Sequence, residues 1–275
     1  MSLSERVAAR YKSKKKIPGS DTIVYEYSPQ QVARRNNQKA ERLEKLSKNI
    51  GKLKAQVKKD LSSGDPDKAM VALVVSLIDH TAERIGNEGS AEDGHFGVTG
   101  WQRNHISFGK GKATVRYVGK SGVKQKKTVT DKAILSALRD AYEAAGEDEP
   151  IFQHDMGKVT AEKVNKYLSR FDITAKDLRG YHANLTMREN LKAIRKGTLP
   201  EGRKEREAQL KKEWKRALEL TADHVGHESS TLESQYLTPG VKDLYMKNGE
   251  VMRGMVAGMV TAVVYMYLRD QECLG

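Results

Sequence analysis

Apolar side chains recur at three- and four-residue steps in the first part of the chain and predict two long helices. The first runs from Gln30 to Leu61, and its apolar face consists of Leu43, Leu46, Ile50, Leu53 and Val57. The second follows the Gly64-Asp65-Pro66 break and runs from Pro66 to Ile85. Because this second helix is strongly apolar, we expect it to form the centre of the core and to carry Arg84 at its end.

The pattern changes to alternation between residues 105 and 129, which predicts strands. Thr114 to Val118 alternates between apolar and polar positions, the Gly119-Lys120-Ser121-Gly122 segment supplies a turn, and Val123 to Val129 returns. Lys120 is therefore placed at the tip of a hairpin, a mobile position from which it can reach a substrate.

Further helical stretches complete the predicted elements at about residues 132–145, 160–171, 174–184 and 200–220. Thr174 and Asp177 have the spacing of a capping box, so Arg179 falls in the first turns of its helix, the end that favours anions. The glycines between Arg84 and Trp101 predict a loop that places backbone N–H groups near an anion. The expected fold class is α+β, mainly α, with a small antiparallel sheet.

The two ends of the chain lack features of export or membrane insertion. Residues 1–20 are polar and basic, without the apolar centre of a secretory signal. Residues 1–28 are interpreted as a flexible, solvated basic arm, with a DNA-contacting arm or a localisation signal as the alternatives. The apolar run from Gly254 to Leu268 has 15 residues, whereas a membrane span needs about 20. We therefore expect a buried C-terminal helix and no membrane partner.

The charge balance points to a class of partner. The formal net charge is +13, which favours a polyanion: nucleic acid first and an anionic membrane surface second. From Trp101 to Thr130 there are eight Lys and Arg residues and no Asp or Glu, so the hairpin is predicted to face phosphates. The candidate DNA-binding residues on it are Lys110, Lys112, Arg116 and Lys124. The single cysteine, Cys273, excludes an intramolecular disulfide and fits a reducing compartment. With nucleic acid as the partner, the expected location is the cytoplasm or nucleoid, or another DNA-containing intracellular compartment.

The stretch ADHVGHESSTLESQY, from Ala222 to Tyr236, carries the candidate nucleophile. A Gly226-His227 turn precedes Tyr236 by nine residues. A tyrosine hydroxyl has an ordinary pKa of about 10 and reacts only where a base or a set of cations favours the phenolate. Together with the basic composition, this pattern indicates attack on an electrophile that cations surround.

Four motifs in this chain, taken together, resemble the type IB DNA topoisomerases of the poxvirus and bacterial kind. ERIGNEGSAEDGHFGVTG is similar to the family's first arginine motif and RYVGKSG to its lysine hairpin. TAKDLRGYHAN resembles its second arginine box, and VGHESSTLESQY resembles its His-to-Tyr segment. The resemblance extends from about Val24 to Leu244, and VYEYSPQQVARRNNQKAERL is similar to the family's interdomain linker. It implies a catalytic domain over 29–275 that begins with a linker-like helix over 30–61.

The resemblance also implies a reaction and a role for each residue. Tyr236 attacks a phosphodiester of duplex DNA, giving a 3′-phosphotyrosyl enzyme and a free 5′-hydroxyl end, which swivels to release supercoils and then reseals. Arg84, Arg179 and His227 donate hydrogen bonds to the non-bridging oxygens, and Lys120 is the general acid for the departing 5′-oxygen. The supporting residues are Asn87, Lys176 and Asn184. The implied enzyme is a monomer that needs neither ATP nor a metal.

The residues independently lack signs of a cofactor. The sequence has no GxxxxGK[ST] phosphate loop, and Gly109-x-Gly111 lacks the third glycine of a dinucleotide fingerprint. His224 and His227 have no obvious third metal ligand. We therefore expect no cofactor and no metal site.

Two alternatives share parts of this pattern. A tyrosine recombinase uses the same Arg-Lys-His-Tyr chemistry, but its second box usually reads HxLRH, whereas this chain has KDLRG at Lys176 to Gly180. A catalytically inactive DNA-binding relative would lack one of the five reacting residues, and all five are present. The chain departs from the family in one respect: only some 28 residues precede the linker-like stretch, too few for the family's largely β N-terminal domain.

Overall fold

The computed structural model describes residues 13–16, 18, 23–155 and 157–251. The helices in this part are α1 (Pro29–Leu61), α2 (Pro66–Thr81), α3 (Glu88–Glu92), α4 (Lys132–Ala144), α5 (Ala161–Ser169), α6 (Ala175–Ile194), α7 (Arg203–Val225), α8 (Ser229–Gln235) and α9 (Val241–Asn248). The strands are β1 (Ser13–Lys16), β2 (Ile23–Glu26), β3 (Ile106–Gly109), β4 (Lys112–Val118), β5 (Lys124–Val129), β6 (Gln153–His154) and β7 (Gly157–Lys158). The predicted class, mainly helical with a small antiparallel sheet, is confirmed.

Helix α1 begins and ends where the sequence predicts, to within one residue. Ser28 and Gln31 form a capping box, and Pro29 occupies the first turn, where a missing N–H costs nothing. The buried apolar side chains Leu46, Leu53 and Val57 lie toward the core, and the helix packs on α2 and α6. This packing brings the first helix of the chain against the helix that carries Arg179.

Helix α2 is the apolar centre predicted from the sequence, but its predicted end at Ile85 is wrong. The helix ends at Thr81, because Ala82 adopts a left-handed conformation with φ 55°. The chain beyond it pairs with a later segment: Val98 N–H donates to the Arg84 carbonyl and Thr99 N–H to the Ile85 carbonyl, both at 2.9 Å. These bonds draw the main chain of Arg84 out of the helix and into an extended segment.

The three-stranded sheet confirms the predicted hairpin. Strand β4 pairs antiparallel with both β3 and β5, in the order β3-β4-β5, with Val118 opposite Lys124 at the turn. Burial alternates along β4 and β5, so one face is exposed and the other lies on the core, with β5 against α2. Lys120 begins a short 3-10 turn, Lys120–Gly122, between the two strands.

The last four described helices form a second apolar cluster that includes Tyr236. Its largest members include Met187, Trp214, Tyr236 and Tyr245. Helix α7 continues five residues past the predicted end at Leu220 to Val225, and Gly226, with φ 69°, caps its end. The predicted capping box of Thr174 and Asp177 at the start of α6 is confirmed.

Three expectations concern the basic arm, the C-terminal apolar run and the membrane. Within the predicted arm, β1 pairs antiparallel with β2. The predicted C-terminal helix, 254–268, lies outside the described residues, and the division into arm and catalytic domain stays a prediction. Among the residues that the structure describes, no helix has the length and apolar character to cross a membrane.

Candidate active site

Tyr236 lies at the end of α8, enclosed by basic side chains. Only 5% of its surface is exposed. Its ring centroid is 4.8 Å from that of His227, and Arg179 Cζ lies 5.2 Å from the ring. Lys176 Nζ is 6.0 Å away. Residues that are 9 to 60 positions apart in sequence therefore meet around one hydroxyl-bearing ring.

The turn that places His227 depends on a glycine. Gly226 has φ 69°, and a Cβ atom there would come within 1.9 Å of Gln125 Oε1. Gln125 Nε2 in turn donates to the Gly226 carbonyl at 3.3 Å, and His227 N–H donates to the Ala222 carbonyl at 2.9 Å. Only glycine combines the left-handed backbone with this close approach of β5.

Asn184 holds the main chain on both sides of the Tyr236 carbonyl. Its Nδ2 donates to the Tyr236 carbonyl at 2.9 Å, and its Oδ1 accepts from Thr238 N at 2.9 Å and Thr238 Oγ1 at 3.0 Å. Asn184 is 2% exposed, so these bonds are shielded from water. The residue predicted as supporting is thus in direct contact with the backbone of Tyr236.

Arg179 is a buried guanidinium with free donors. It is 2% exposed, and its Nη2 donates to the Val225 carbonyl at the end of α7. Its Nε and Nη1 have no hydrogen-bond partner among the described residues. Burial lowers the pKa of Arg179, while the nearby Tyr236 and Glu83 act in the opposite direction. Since buried polar groups are nearly always hydrogen-bonded, two free donors here mark a place for an acceptor.

Arg84 and His227 contact each other directly. Arg84 Nη2 lies 2.9 Å from His227 Nε2 and 3.3 Å from Nδ1. Burial, followed by the charges of Arg179 and Arg84, lowers the pKa of His227 to about 3. The imidazole is therefore neutral near pH 7: one ring nitrogen accepts from Arg84, and the other carries an N–H.

Lys120 is exposed at the tip of the β4–β5 hairpin. Its positive charge is among those that lower the pKa of His227, which places it on the same side of the molecule as the Tyr236 cluster. Its position on a short turn at the end of two strands leaves the ammonium group free to approach a ligand.

The other predicted DNA-binding residues lie on the exposed side of the sheet. Lys112, Arg116 and Lys124 are exposed members of β4 and β5, and Lys110 is exposed in the preceding turn. Asn87 is an exposed N-cap of α3 whose Oδ1 accepts from Ser90 N at 2.7 Å. The sheet residues form a basic face, whereas Asn87 is positioned as a cap.

A buried charged cluster under the site was missed by the sequence analysis. Lys127 Nζ lies 3.1 Å from Glu83 Oε1 and also donates to the His224 carbonyl, and Tyr117 OH donates to Glu83 Oε2. Burial lowers the pKa of Lys127, while Glu83 raises it; burial and Glu83 raise the pKa of Tyr117. Lys127 thus does not face phosphates. The alternation of β5 could have indicated this burial, since it places Lys127 on the buried face of the strand with Gln125 and Val129.

No group of three His, Cys, Asp or Glu residues close enough to hold a metal ion occurs in the described ranges. His224 lies near the end of α7, where its main-chain carbonyl accepts from Lys127. Burial, together with the charge of Lys127, lowers the pKa of the His224 ring.

Comparisons with known proteins identify a family for this chain. The family described as eukaryotic DNA topoisomerase I, catalytic core, matches residues 28–251. DNA topoisomerase 1B of Acanthamoeba polyphaga mimivirus is 22% identical over 240 residues, covering 82% of this chain and 70% of its own length. DNA topoisomerase 1 beta of Arabidopsis thaliana is 26% identical over 172 residues, or 60% of this chain and 18% of the plant protein.

DNA topoisomerase I, mitochondrial, of Rattus norvegicus is 27% identical over 170 residues, or 57% of this chain and 28% of the rat protein. The chain thus spans less than a third of the plant and rat relatives. A structure of XerH site-specific recombinase bound to palindromic difH substrate covers 75% of this chain and 50% of its own at 16% identity, with a TM-score of 0.42. That similarity is too low to support a conclusion.

The family match favours the topoisomerase prediction over the recombinase alternative. It extends from residue 28 to residue 251 of 275 and includes every helix and strand that holds Tyr236, Arg179 and His227. The chain belongs to the DNA topoisomerase I catalytic-core family, the type IB topoisomerases.

Proposed function

We propose that this chain relaxes supercoiled duplex DNA by reversible cleavage of one strand, with Tyr236 as the nucleophile. Its partner is double-stranded DNA, and its place is a DNA-containing compartment. The relatives named topoisomerases support this activity. The basic sheet face with Lys112, Arg116 and Lys124 is suited to the phosphate backbone.

The observation that carries the proposal is the state of Arg179. A guanidinium with two unpaired, buried nitrogens lies 5.2 Å from the Tyr236 ring. An uncompensated buried cation is unfavourable unless an anion joins it. A phosphodiester at this position would accept from Arg179 in the planar, paired geometry that guanidinium groups favour.

In the cleavage step, the Tyr236 oxygen forms a bond to phosphorus as its proton passes to solvent water, and the bond from phosphorus to the 5′-oxygen breaks. The departing oxygen takes a proton from Lys120, which leaves a 5′-hydroxyl end and a 3′-phosphotyrosyl bond. Resealing is the reverse, so the energy of the phosphodiester is retained in the protein–DNA bond. Arg84, Arg179 and the neutral His227 stabilise the negative charge that develops on the non-bridging oxygens.

DNA binding brings phosphate to Arg84 and requires a change at Tyr236 in this mechanism. Arg84 Nη2 contacts His227, and the other N–H groups of its guanidinium can donate to phosphate while that contact is kept. The nearly buried Tyr236 must become accessible to phosphorus. The exposed position of Lys120 allows the hairpin to close over the departing end.

Relaxation of supercoiled plasmid in EDTA and without ATP tests the proposal. We expect the wild-type chain to produce relaxed topoisomers and Tyr236→Phe, which keeps the ring but lacks the attacking oxygen, to produce none. Wild-type chain that binds duplex DNA without relaxing it would contradict the proposal, and strand exchange between paired sites would support the recombinase alternative.

A further inference from the structure

Lys39, on α1, contacts the segment that carries the nucleophile. Its Nζ donates to the Leu237 carbonyl at 2.6 Å, across a sequence separation of 198 residues. Leu237 directly follows Tyr236, and its own N–H bonds to the Leu232 carbonyl at 3.2 Å. One residue of the first long helix therefore reaches the main chain next to the reacting side chain.

Lys39 and Asn184 bind the main chain of residues 236–238 from two different helices. Asn184, from α6, binds the Tyr236 carbonyl and the Thr238 N–H. Lys39, from α1, binds the carbonyl between them. Two helices that are far apart in sequence thus hold three consecutive residues through their main-chain groups, and Thr238 Oγ1 adds a side-chain bond to Asn184.

The surroundings of Lys39 distinguish it from the other basic residues of α1. It lines a cleft of about 540 Å³ between α1, α6 and α8, together with Arg35, Lys176 and Tyr236. Burial, with a smaller effect from the charge of Lys176, lowers the pKa of Lys39 to about 8. By contrast, Arg42 on the same wall is paired with Asp177 at 3.0 Å.

We propose that Lys39 is a positioning residue for Tyr236: by holding the Leu237 carbonyl it fixes the nucleophile segment and couples α1 to the cleavage step. This inference rests on the proposed function. The physical reason is the geometric demand of in-line attack, since a displacement of about 1 Å can lower a rate about 100-fold. Lys39 touches no reacting atom, so it acts through Tyr236 alone.

Single-turnover cleavage of a duplex whose short cleaved strand dissociates measures this effect directly. We compare the full wild-type chain with Lys39→Met, which keeps the length of the side chain but cannot donate. The matched control is Lys58→Met, an exposed lysine nineteen residues along the same helix, about 28 Å away at the helical rise. The rate constant of adduct formation at saturating enzyme and the DNA dissociation constant are measured separately.

We expect Lys39→Met to cleave at least about tenfold more slowly than wild type at saturation, with a dissociation constant within about threefold of wild type. Lys58→Met should match wild type in rate. A substrate with sulfur in place of the 5′-bridging oxygen has a leaving group that needs no proton. It should therefore restore the cleavage rate of Lys120→Ala but not that of Lys39→Met. If Lys39→Met does not fold, Lys39→Ala, which also lacks the donor, provides the same comparison.

An unchanged rate constant in the Lys39 variant would overturn the inference. Weaker DNA binding with an unchanged rate at saturation would also overturn it, because Lys39 would then be a phosphate contact. Rescue of Lys39→Met by the sulfur substrate would assign it to the leaving group instead. Absence of any wild-type adduct would overturn the proposed function and this inference together, whereas a wild-type adduct with normal Lys39→Met cleavage would overturn this inference alone.

Discussion

The guanidinium of Arg179 is enclosed by α6, the end of α7 and the Tyr236 ring, and within the described part of the chain only its Nη2 has a protein acceptor. Arg84 is different, because its Nη2 already contacts His227. The two arginines of the site thus begin from different states: Arg179 Nη2 donates to a main-chain carbonyl, whereas Arg84 Nη2 contacts the imidazole of His227. Both are expected to donate to the same phosphate in the cleavage step.

Arg84→Ala and Arg179→Ala should each slow single-turnover cleavage by at least about 10²- to 10³-fold, the usual effect of removing one preorganised donor. Arg179→Lys should remain impaired, because a lysine cannot supply two coplanar donors. Lys192→Ala, an exposed residue on the same helix as Arg179, serves as the control. A cleavage rate near wild type for either alanine variant would remove that arginine from the mechanism.

The depressed pKa of His227 makes a prediction about stability. The unfolded chain protonates this ring near pH 6.5, whereas the folded chain holds it neutral until about pH 3. Stability from this group is therefore fully present above about pH 6.5 and is lost as the pH falls toward 3. In urea unfolding at several pH values, His227→Gln should lose less stability than wild type between pH 6.5 and 5. Equal losses in the two proteins would contradict the assigned shift.

At the scale of elements, the Glu83–Lys127 pair joins the segment after α2 to β5 and to the end of α7. Both side chains are almost fully buried, at 2% and 7% exposed. Tyr117 on β4 and the His224 carbonyl on α7 complete the contacts. The pair therefore lies between the strand that leads to Lys120 and the helix end that leads to His227.

Removing one partner of a buried ion pair leaves the other charge uncompensated. Glu83→Ala should lower the free energy of unfolding by about 3–5 kcal/mol, measured by urea denaturation. Glu83→Ala combined with Lys127→Met should recover much of that loss. The control is Glu88→Ala, whose partner Lys158 is 3.3 Å away on the exposed surface and which should cost less than about 1 kcal/mol. A loss for Glu83→Ala as small as that of the control would contradict the account.

The sequence predicted elements better than it predicted contacts between them. Period-3.6 and period-2 patterns located α1, the β4–β5 hairpin and the start of α6, because each depends on local burial and capping. The end of α2 could not be predicted, because it depends on bonds to Val98 and Thr99. The burial of Lys127 required knowing which face of β5 meets the core. The sequence pattern does not distinguish Lys39 from the other lysines of α1, because its hydrogen-bond acceptor, the Leu237 carbonyl, is 198 residues away.

At the scale of the whole molecule, the net charge of +13 and the exposed basic side of the sheet dominate the expected encounter with DNA. Each phosphate that a basic side chain neutralises releases counterions. The logarithm of the DNA association constant should therefore fall linearly with the logarithm of the salt concentration, with a slope of about −0.9 for each phosphate contact. We expect a steep slope for wild type and a slope shallower by about one for Arg116→Gln. A flat salt dependence would contradict phosphate-dominated binding.

The central claim is that Tyr236 becomes covalently attached to the 3′ side of a DNA break, and a labelled duplex tests it most directly. The chain is incubated in EDTA with duplex DNA that is labelled on one side of the break or the other, and the reaction is stopped by denaturation. The protein is then digested, and the peptide that carries DNA is identified by mass spectrometry. We expect the wild-type chain to carry the DNA strand on Tyr236 through the 3′-phosphate, with a free 5′-hydroxyl on the other side of the break. The Tyr236→Phe variant should form no adduct. Attachment through a 5′-phosphate, or to any other residue, would contradict it.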